Sequence, residues 1–171
     1  MNPENWPGGD LTPDLCDAFP GVQVLAPEFI HFGAVDTFWG PIDTVRCLED
    51  NSKVKQVLNT PGEGRVLVVD GGASMHVALL GDQIAEAAVA NRWSGVLING
   101  CVRDCIRLSE LPLGVLGLNT HPRKTEKLDR GVIGVELSFA GCVFRPGFWL
   151  YADANGVVVS ETELDLSQIS R

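Results

Sequence analysis

In the segment GDQIAEAAVANRWSGVLINGCVRD, Gly81 and Asp82 open what reads as a helix, and Arg103 and Asp104 close what reads as a buried strand. Carboxylate oxygens ligate hard divalent cations, and a planar guanidinium forks onto a carboxylate. Brought together, these groups would hold a metal ion and a small organic acid. Glycine lies close to both ends, at Gly81 and Gly100, and lets backbone N–H groups approach a ligand.

The chain topology favours that meeting. A helix that feeds a parallel strand runs antiparallel to the strands, so its N-terminus lies above their carboxyl ends. Asp82 marks such an N-terminus, and Arg103–Asp104 lies just beyond such a carboxyl end. The same rim is expected to carry the Gly71–Gly72 turn, and the free N–H groups of the helix favour an anion there. Other roles stay open on residue type alone. Asp82 and Asp104 each suit a helix N-cap, and Arg103 suits a surface ion pair contributing about 0–1 kcal/mol.

The elements that would position these groups follow from periodicity. Leu11 to Phe19 reads as a short helix, with Thr12 as its cap and Pro13 at its first position. Pro41 to Leu48 alternates as a strand does, and Ser52 to Leu58 reads as a helix ended by Pro61–Gly62. Arg65 to Asp70 (RVLVVD) is a continuous apolar run, the pattern of a strand covered on both faces. A helix over Asp82 to Trp93, a strand over Val96 to Ile98, a helix over Arg103 to Leu111 and a strand over Val115 to Leu118 follow. Shorter alternating runs come next, at Val132 to Leu137, Cys142 to Arg145, Leu150 to Asp153 and Val157 to Ser160. The last two flank Asn155–Gly156, a hairpin turn signal. This order predicts an α/β fold in one domain over residues 11–171, after a loose Pro/Gly-rich arm over residues 1–10. Its central sheet is expected to be mostly parallel, with antiparallel hairpins toward the C-terminus.

Composition narrows the partners. The 171 residues are 45% apolar and 20% charged, which suits a soluble globular domain. A net charge of −9, offset by no basic tract, argues against direct nucleic-acid binding. No apolar run approaches the roughly 18 residues of a membrane span, and MNPENWPGGDLTPD lacks the pattern of a signal peptide. The five cysteines fit neither a disulfide framework nor zinc spacing, which points to a reducing, cytoplasmic compartment. Cys101 and Cys105 read as packing residues, and His31, His76 and His121 show no metal-ligand spacing. His121 and Arg123 lie in a loop that reaches toward the rim, and Trp39, Trp93 and Trp149 read as core or subunit contacts.

GRVLVVDGG, the Gly81–Asp104 segment, LNTHPRK and YADANGVVVSE, in this order, resemble the RraA-like family over about Leu11 to Asp165. That family includes the regulator of ribonuclease E activity and the class II 4-hydroxy-4-methyl-2-oxoglutarate aldolases. Its aldolase members carry Asp, twenty residues, then Arg-Asp, and here Asp82 precedes Arg103–Asp104 by the same twenty residues. Members that act only as ribonuclease inhibitors tend to lose these acidic residues. The resemblance implies a β/β/α swivelling-type fold, a ring-shaped homotrimer and a small 2-oxo acid as substrate. It implies that Gly81, Asp82, Gln83 and Ile84 hold substrate, that Arg103 contacts its oxygens, and that Asp104 ligates Mg²⁺ or Mn²⁺. Asp82 and Arg103 are the implied catalytic pair.

The implied reaction cleaves 4-hydroxy-4-methyl-2-oxoglutarate, or a related 4-hydroxy-2-oxo acid, to pyruvate and a second 2-oxo acid. Oxaloacetate decarboxylation would pass through the same enolate. A Schiff-base lysine is the other way to stabilise that enolate and needs a desolvated amine. Lys53, Lys55, Lys124 and Lys127, the four lysines, stand in polar or turn-like contexts, which favours a metal as Lewis acid. Arg103 would then add positive charge against the enolate, and Asp82 would orient a water that moves the proton. The alternative is a non-enzymatic regulator that binds and inhibits a ribonuclease E-type endoribonuclease, which an acidic surface suits but which does not need the Asp82/Arg103/Asp104 set. A methyltransferase, a label the family has also carried, is disfavoured because no G-x-G-x-x-G turn follows a strand.

Overall fold

The apolar runs RVLVVD and GVLINGCV form the middle of the molecule, as adjacent parallel strands covered on both faces. The computed structural model describes residues 1, 3 and 6–169. Residues 2, 4 and 5 of the expected arm, and 170 and 171 of the expected domain, lie outside the described residues. In chain order the elements begin with helix α1 (Leu11–Ala18) and strands β1 (Gln23–Val24), β2 (Ile30–His31) and β3 (Phe38–Arg46). Helix α2 (Ser52–Leu58), strands β4 (Val66–Asp70) and β5 (Ala78–Leu80), helix α3 (Asp82–Ala90) and strand β6 (Gly95–Val102) follow. Next come α4 (Cys105–Leu108) and β7 (Gly114–Thr120). Strands β8 (Val132–Ile133), β9 (Leu137–Phe139), β10 (Cys142–Phe144), β11 (Trp149–Asp153) and β12 (Gly156–Ser160) follow, and then a 3-10 helix (Leu166–Gln168).

Strands β3, β4, β6 and β7 lie side by side and parallel, and β5 runs parallel to the last residues of β6. The flanks are antiparallel: β11 on β3, β12 on β11, β1 on β12, β2 on β7 and β8 on β3. The ten-stranded sheet therefore has four parallel and five antiparallel pairings, and the expectation of a mostly parallel sheet is corrected. The cause is the length of β3. Its first half, Phe38–Pro41, pairs with β11 and its second half, Ile42–Arg46, with β4, so the C-terminal hairpin extends the same sheet. The expected antiparallel hairpins are present as β9–β10 and β11–β12.

Alternation sorts the core into layers. Val66 and Val68 face a cluster shared with Phe38, Leu97, Phe144 and Leu150, while Leu67 and Val69 face one shared with Ile84, Ala88, Trp93 and Ile98. A third cluster joins Leu11 and Leu15 of α1 to Trp39, Tyr151 and Val158 on the outer side of the antiparallel strands. Gly95 and Gly114 admit the Phe38 ring between strands; a Cβ at either would stand 2.2–2.3 Å from it.

Several boundaries shift for local reasons. The expected helix over Arg103–Leu111 shrinks to Cys105–Leu108, because Arg103 continues strand pairing and Asp104 turns left-handed at φ 59. Val132 to Leu137 divides into two strands at Gly134, whose φ is 77. Thr12 does not cap α1, and Asp10 occupies the N-cap without a side-chain bond. The carboxylate of Asp153 does the capping instead, accepting from Thr12 N at 2.9 Å and from the Thr12 hydroxyl at 2.7 Å. Burial works against an ionised Asp153, but the bonds from Thr12 and Asn155 outweigh it and hold the carboxyl below its ordinary range.

A lowered folded-state pKa means that the stabilisation is complete above the unfolded value near 3.9 and is lost as pH falls below it. Asp153→Ala is expected to cost about 2–3 kcal/mol in urea unfolding at pH 7, since it strands buried donors. The gap between the native protein and Asp153→Asn narrows at pH 3. A cost under about 0.5 kcal/mol would mean that α1 finds another acceptor.

Candidate active site

Strand β6 outruns β4. Its Asn99 pairs with Asp70, the last residue of β4, and Gly100, Cys101 and Val102 continue beyond it. Strand β5 fills the vacant edge, with Ala78 against Cys101 and Leu80 against Val102. Arg103 N then donates to the Leu80 carbonyl at 2.9 Å, so β5 and β6 stop together. From that point the chain leaves β5 through Gly81 into α3, and leaves β6 through Arg103–Asp104 into α4. Asp82, Arg103 and Asp104 are thereby brought to one spot.

Contact between them is direct. Asp104 Oδ2 accepts the Asp82 N–H at 3.1 Å and stands 3.5 Å from Arg103 Nε. The N-cap readings are corrected. Gly81 holds the N-cap of α3, and Asp104, at the N-cap position of α4, makes no capping bond to its own helix. Asp104 instead serves the neighbouring helix, while Asp82 Oδ1 accepts the Gln83 N–H at 2.7 Å. Among the described residues the Ile84 N–H has no acceptor, which leaves one donor of the first turn available. A Cβ at position 81 would lie 2.5 Å from Asp104 Oδ2 and 3.3 Å from Arg103 Nε, so glycine is needed for the approach. The Arg103 and Asp104 side chains are 36% and 34% exposed, open to a ligand and weak as an isolated pair.

These residues edge a cleft of ≈150 Å³. Gly81, Asp82, Gln83, Ile84 and Arg103, the expected substrate contacts, all line it, and Asp104 sits behind Gly81. Gly71 and Gly72 do not line it. They end β4, short of the rim, and a Cβ on Gly71 would meet Leu79 Cδ1 at 2.3 Å. His121 and Arg123 lie in the loop after β7, yet it is Lys124 and Lys127 of that loop that reach the cleft. Lys55 of α2 joins them, together with Asn51. Sequence reading weighed these lysines only as Schiff-base candidates and did not place them at the rim. The rule that ligands sit beyond the carboxyl ends of parallel strands applies to β3 and β7 as well as to β6, and would have pointed to α2 and the 121–130 loop.

Buried polar bonds hold that loop. Thr125 Oγ1 donates to Asn51 Oδ1 at 2.8 Å, and Asn51 Nδ2 donates to the Leu79 carbonyl at 3.1 Å. Asp50 Oδ2 accepts from Leu128 N at 2.9 Å and from Arg130 N at 3.1 Å. Burial acts to raise the Asp50 carboxyl, but these bonds and those from Ser52 prevail and bring it to about 2. The anchor is therefore intact above the ordinary carboxyl range and fails only as pH falls toward 2.

Metal chemistry fits sparsely but well. Among the described residues no three His, Cys, Asp or Glu side chains cluster as a closed cage. Asp82 and Asp104 each have one carboxylate oxygen without a hydrogen-bond partner among the described residues. Hard oxygen donors, few and open to water, suit Mg²⁺ or Mn²⁺ shared with a substrate rather than a thiolate-bound ion. The flanking cysteines add nothing to the set. Burial pushes the Cys101 thiol up, and burial with the Asp104 carboxylate does the same at Cys105, so both stay protonated packing groups.

With this geometry established, comparison with known proteins is informative. The RraA-like family model (Aldolase/RraA) matches residues 12–159. A protein of Xanthomonas campestris pv. campestris, named "Putative 4-hydroxy-4-methyl-2-oxoglutarate aldolase", is 61% identical over 155 residues, or 91% of this chain and 93% of that protein. A solved S-adenosylmethionine: 2-dimethylmenaquinone methyltransferase from Geobacillus kaustophilus is 43% identical, with a TM-score of 0.87 over 91% of this chain and 97% of that chain. The RNA-processing inhibitor RraA from Thermus thermophilis is 38% identical, with a TM-score of 0.90 over 93% of this chain and 97% of that chain. Three different activities are named on one architecture, so the architecture alone does not choose among them.

Gly81→Ala tests the close approach without reference to any reaction. The added methyl is expected to drive the Asp104 carboxylate off the Asp82 N–H, raising amide exchange at Asp82 on the order of tenfold, as the loss of one hydrogen bond implies. Amides within β6 keep their protection. Unchanged exchange at Asp82 would show that the carboxylate accommodates the methyl in place.

Proposed function

The chain belongs to the RraA-like family, and from that premise we propose that it is a divalent-metal-dependent class II aldolase. It cleaves 4-hydroxy-4-methyl-2-oxoglutarate, or a related 4-hydroxy-2-oxo acid, to pyruvate and a second 2-oxo acid, and it decarboxylates oxaloacetate. One observation carries the reading: Asp82 and Arg103 line one cleft, and Asp104 contacts both from behind Gly81, a set that a binding protein has no need of. The name carried by the Xanthomonas relative supports it.

Asp104, with Asp82 beside it, would hold Mg²⁺ or Mn²⁺, which when bound supplies Lewis acidity to the 2-oxo group. Arg103 turns Nε toward Asp104, and its terminal N–H groups have no acceptor among the described residues, leaving them for substrate oxygens. The Ile84 N–H and the start of α3 add a second place for a carboxylate. Asp82, with one oxygen on the Gln83 N–H, uses the other to position a water. That water takes the proton of the 4-hydroxyl as the C3–C4 bond breaks, and a proton returns to C3 of the pyruvate enolate. In oxaloacetate the same bond breaks with loss of CO₂. Arg103 faces the negative charge that develops on the enolate in either case.

Finer expectations go with this reading: swivelling-type β/β/α layering, a ring-shaped homotrimer, a cytoplasmic setting, and neither nucleic acid nor membrane as partner. Exposed Leu48 and Ile106 offer apolar surface that a subunit contact would cover. Among the described residues no helix is long and apolar enough to cross a membrane. Regulation of a ribonuclease E-type enzyme is the alternative, favoured by the likeness to the Thermus protein. It would use an outer face and leave the cleft unexplained.

The purified protein is expected to release pyruvate from 4-hydroxy-4-methyl-2-oxoglutarate and from oxaloacetate with Mg²⁺, and to stop when chelator is in excess. Equal rates with chelator would remove the metal. Arg103→Lys keeps the charge but loses the planar fork, and is expected to lower kcat/KM by about 10²–10³ with little change in thermal midpoint. Full activity in that variant takes Arg103 out of its role. Ribonuclease inhibition that survives in the same variant would belong to a separate surface.

A further inference from the structure

Asparagine followed by glycine occurs twice in the chain, at Asn99–Gly100 and at Asn155–Gly156. Glycine has no Cβ to shield its backbone nitrogen, so in this dipeptide that nitrogen can close on the asparagine side-chain carbonyl carbon. Ring closure needs the backbone to bend locally, and the two copies differ in that freedom. Asn99, 7% exposed, lies within β6 beside β4, and its Nδ2 donates to Asp70 Oδ1 at 2.9 Å. Asn155 is exposed in the two-residue tip between Asp153 and Gly156, which pair across the β11–β12 hairpin. Loop tips open at far lower cost than central strands.

The Asn155 amide is also part of the anchor of α1. Its Nδ2 donates to Asp10 Oδ1 at 2.8 Å and to Asp153 Oδ2 at 3.3 Å, and so bridges two carboxylates. Asp153, 2% exposed, in turn accepts from the backbone N and the hydroxyl of Thr12, the bonds that seat α1. Leu11 and Leu15 of the same helix pack with Trp39, Tyr151 and Val158. An amide donates two hydrogens, whereas an ionised carboxylate only accepts. Exchanging one for the other removes both bonds and sets three carboxylates together, one of them buried.

We propose that Asn155 is a site of spontaneous modification, converting to aspartate or isoaspartate, and that the conversion loosens α1 from the sheet. The Gly156 nitrogen gives its proton to water or hydroxide and bonds to Asn155 Cγ, and the Cγ–Nδ2 bond breaks with loss of ammonia. Water then opens the five-membered imide. Attack at Cγ gives aspartate. Attack at the backbone carbonyl carbon gives isoaspartate, whose main chain runs through the former side chain and disturbs the Asp153–Gly156 pairing as well. In the native fold Gly156 N donates to Asp153 Oδ1 at 3.3 Å, so the reaction waits on a local opening of the turn. Neither Asn155 nor α1 lines the active-site cleft, so the modification is independent of the aldolase reaction.

The test incubates the purified protein at mildly alkaline pH and maps its peptides by mass. Asn155 is expected to gain the mass of an amide-to-acid conversion at least about tenfold faster than Asn99, because the hairpin tip opens more readily than a central strand. Equal rates at the two sites, or a faster Asn99, overturn the modification. Asn155→Asp then tests the consequence. Exchange at the α1 amides is expected to rise about tenfold, the scale of one lost hydrogen bond, while β6 amides keep their protection. Unchanged α1 exchange sinks the release of the helix. Should Asn155→Asp not fold, the deamidated fraction of aged native protein, separated by its added negative charge, is measured in its place with the same two outcomes.

Discussion

The hydrogen bond from Arg103 N to the Leu80 carbonyl, 2.9 Å, fixes the point where β5 and β6 end side by side. Everything at the cleft follows from that coincidence. Two chain exits start from adjacent positions, so the first N–H of α3 and the Asp104 carboxylate meet without any long side chain having to reach. Glycine at 81 keeps the gap narrow, and a left-handed Asp104 turns its carboxylate back toward the neighbouring helix. Aspartate is among the few residues that adopt this conformation at modest cost. Local strain and close approach are thus concentrated on the residues that would bind a ligand, where such features are usually found.

Rigidity behind the rim comes from burial on both faces. All eight residues of β6 are buried, with Val96, Ile98 and Val102 in one apolar cluster and Leu97 between them in the other. A one-residue slip of this strand would exchange those faces and move Arg103 off the rim, so packing and site geometry enforce the same register. The opposite wall is secured by polar means, through Asp50, Asn51 and Thr125, which are buried and bonded. The apolar sheet fixes Arg103 and Asp104, and the polar anchor fixes the lysine loop.

Much of this was legible in the sequence, and the gaps have physical reasons. Continuous apolar runs gave the two-faced strands β4 and β6, and helix α2 came out at Ser52–Leu58 because its ends carry turn residues. The convergence of Asp82 with Arg103–Asp104 followed from the antiparallel run of a helix that feeds a parallel strand. Strand β5 did not show, since three residues carry no period, and without it the Gly71–Gly72 turn was placed at the rim. The share of antiparallel pairing was also hidden, because β3 is one run in sequence but serves two sets of neighbours in space. Thr12 illustrates a third limit. Its partner Asp153 is 141 positions away, and no local rule names a cap supplied from that distance.

Charge acts on two scales here. The net charge of −9 is a long-range property, screened beyond about 8–10 Å at ordinary ionic strength. An anion near the rim therefore feels little of the distant carboxylates and much of Arg103 and the three lysines. The same placement distinguishes a small acid from a polyanion under the proposed function. A phosphodiester backbone needs cations spread along a surface track, whereas these four lie within a cleft of ≈150 Å³ that a duplex does not enter. An acidic protein can in this way favour an acidic substrate, because what binds is decided by where the cations stand rather than by how many carboxylates surround them.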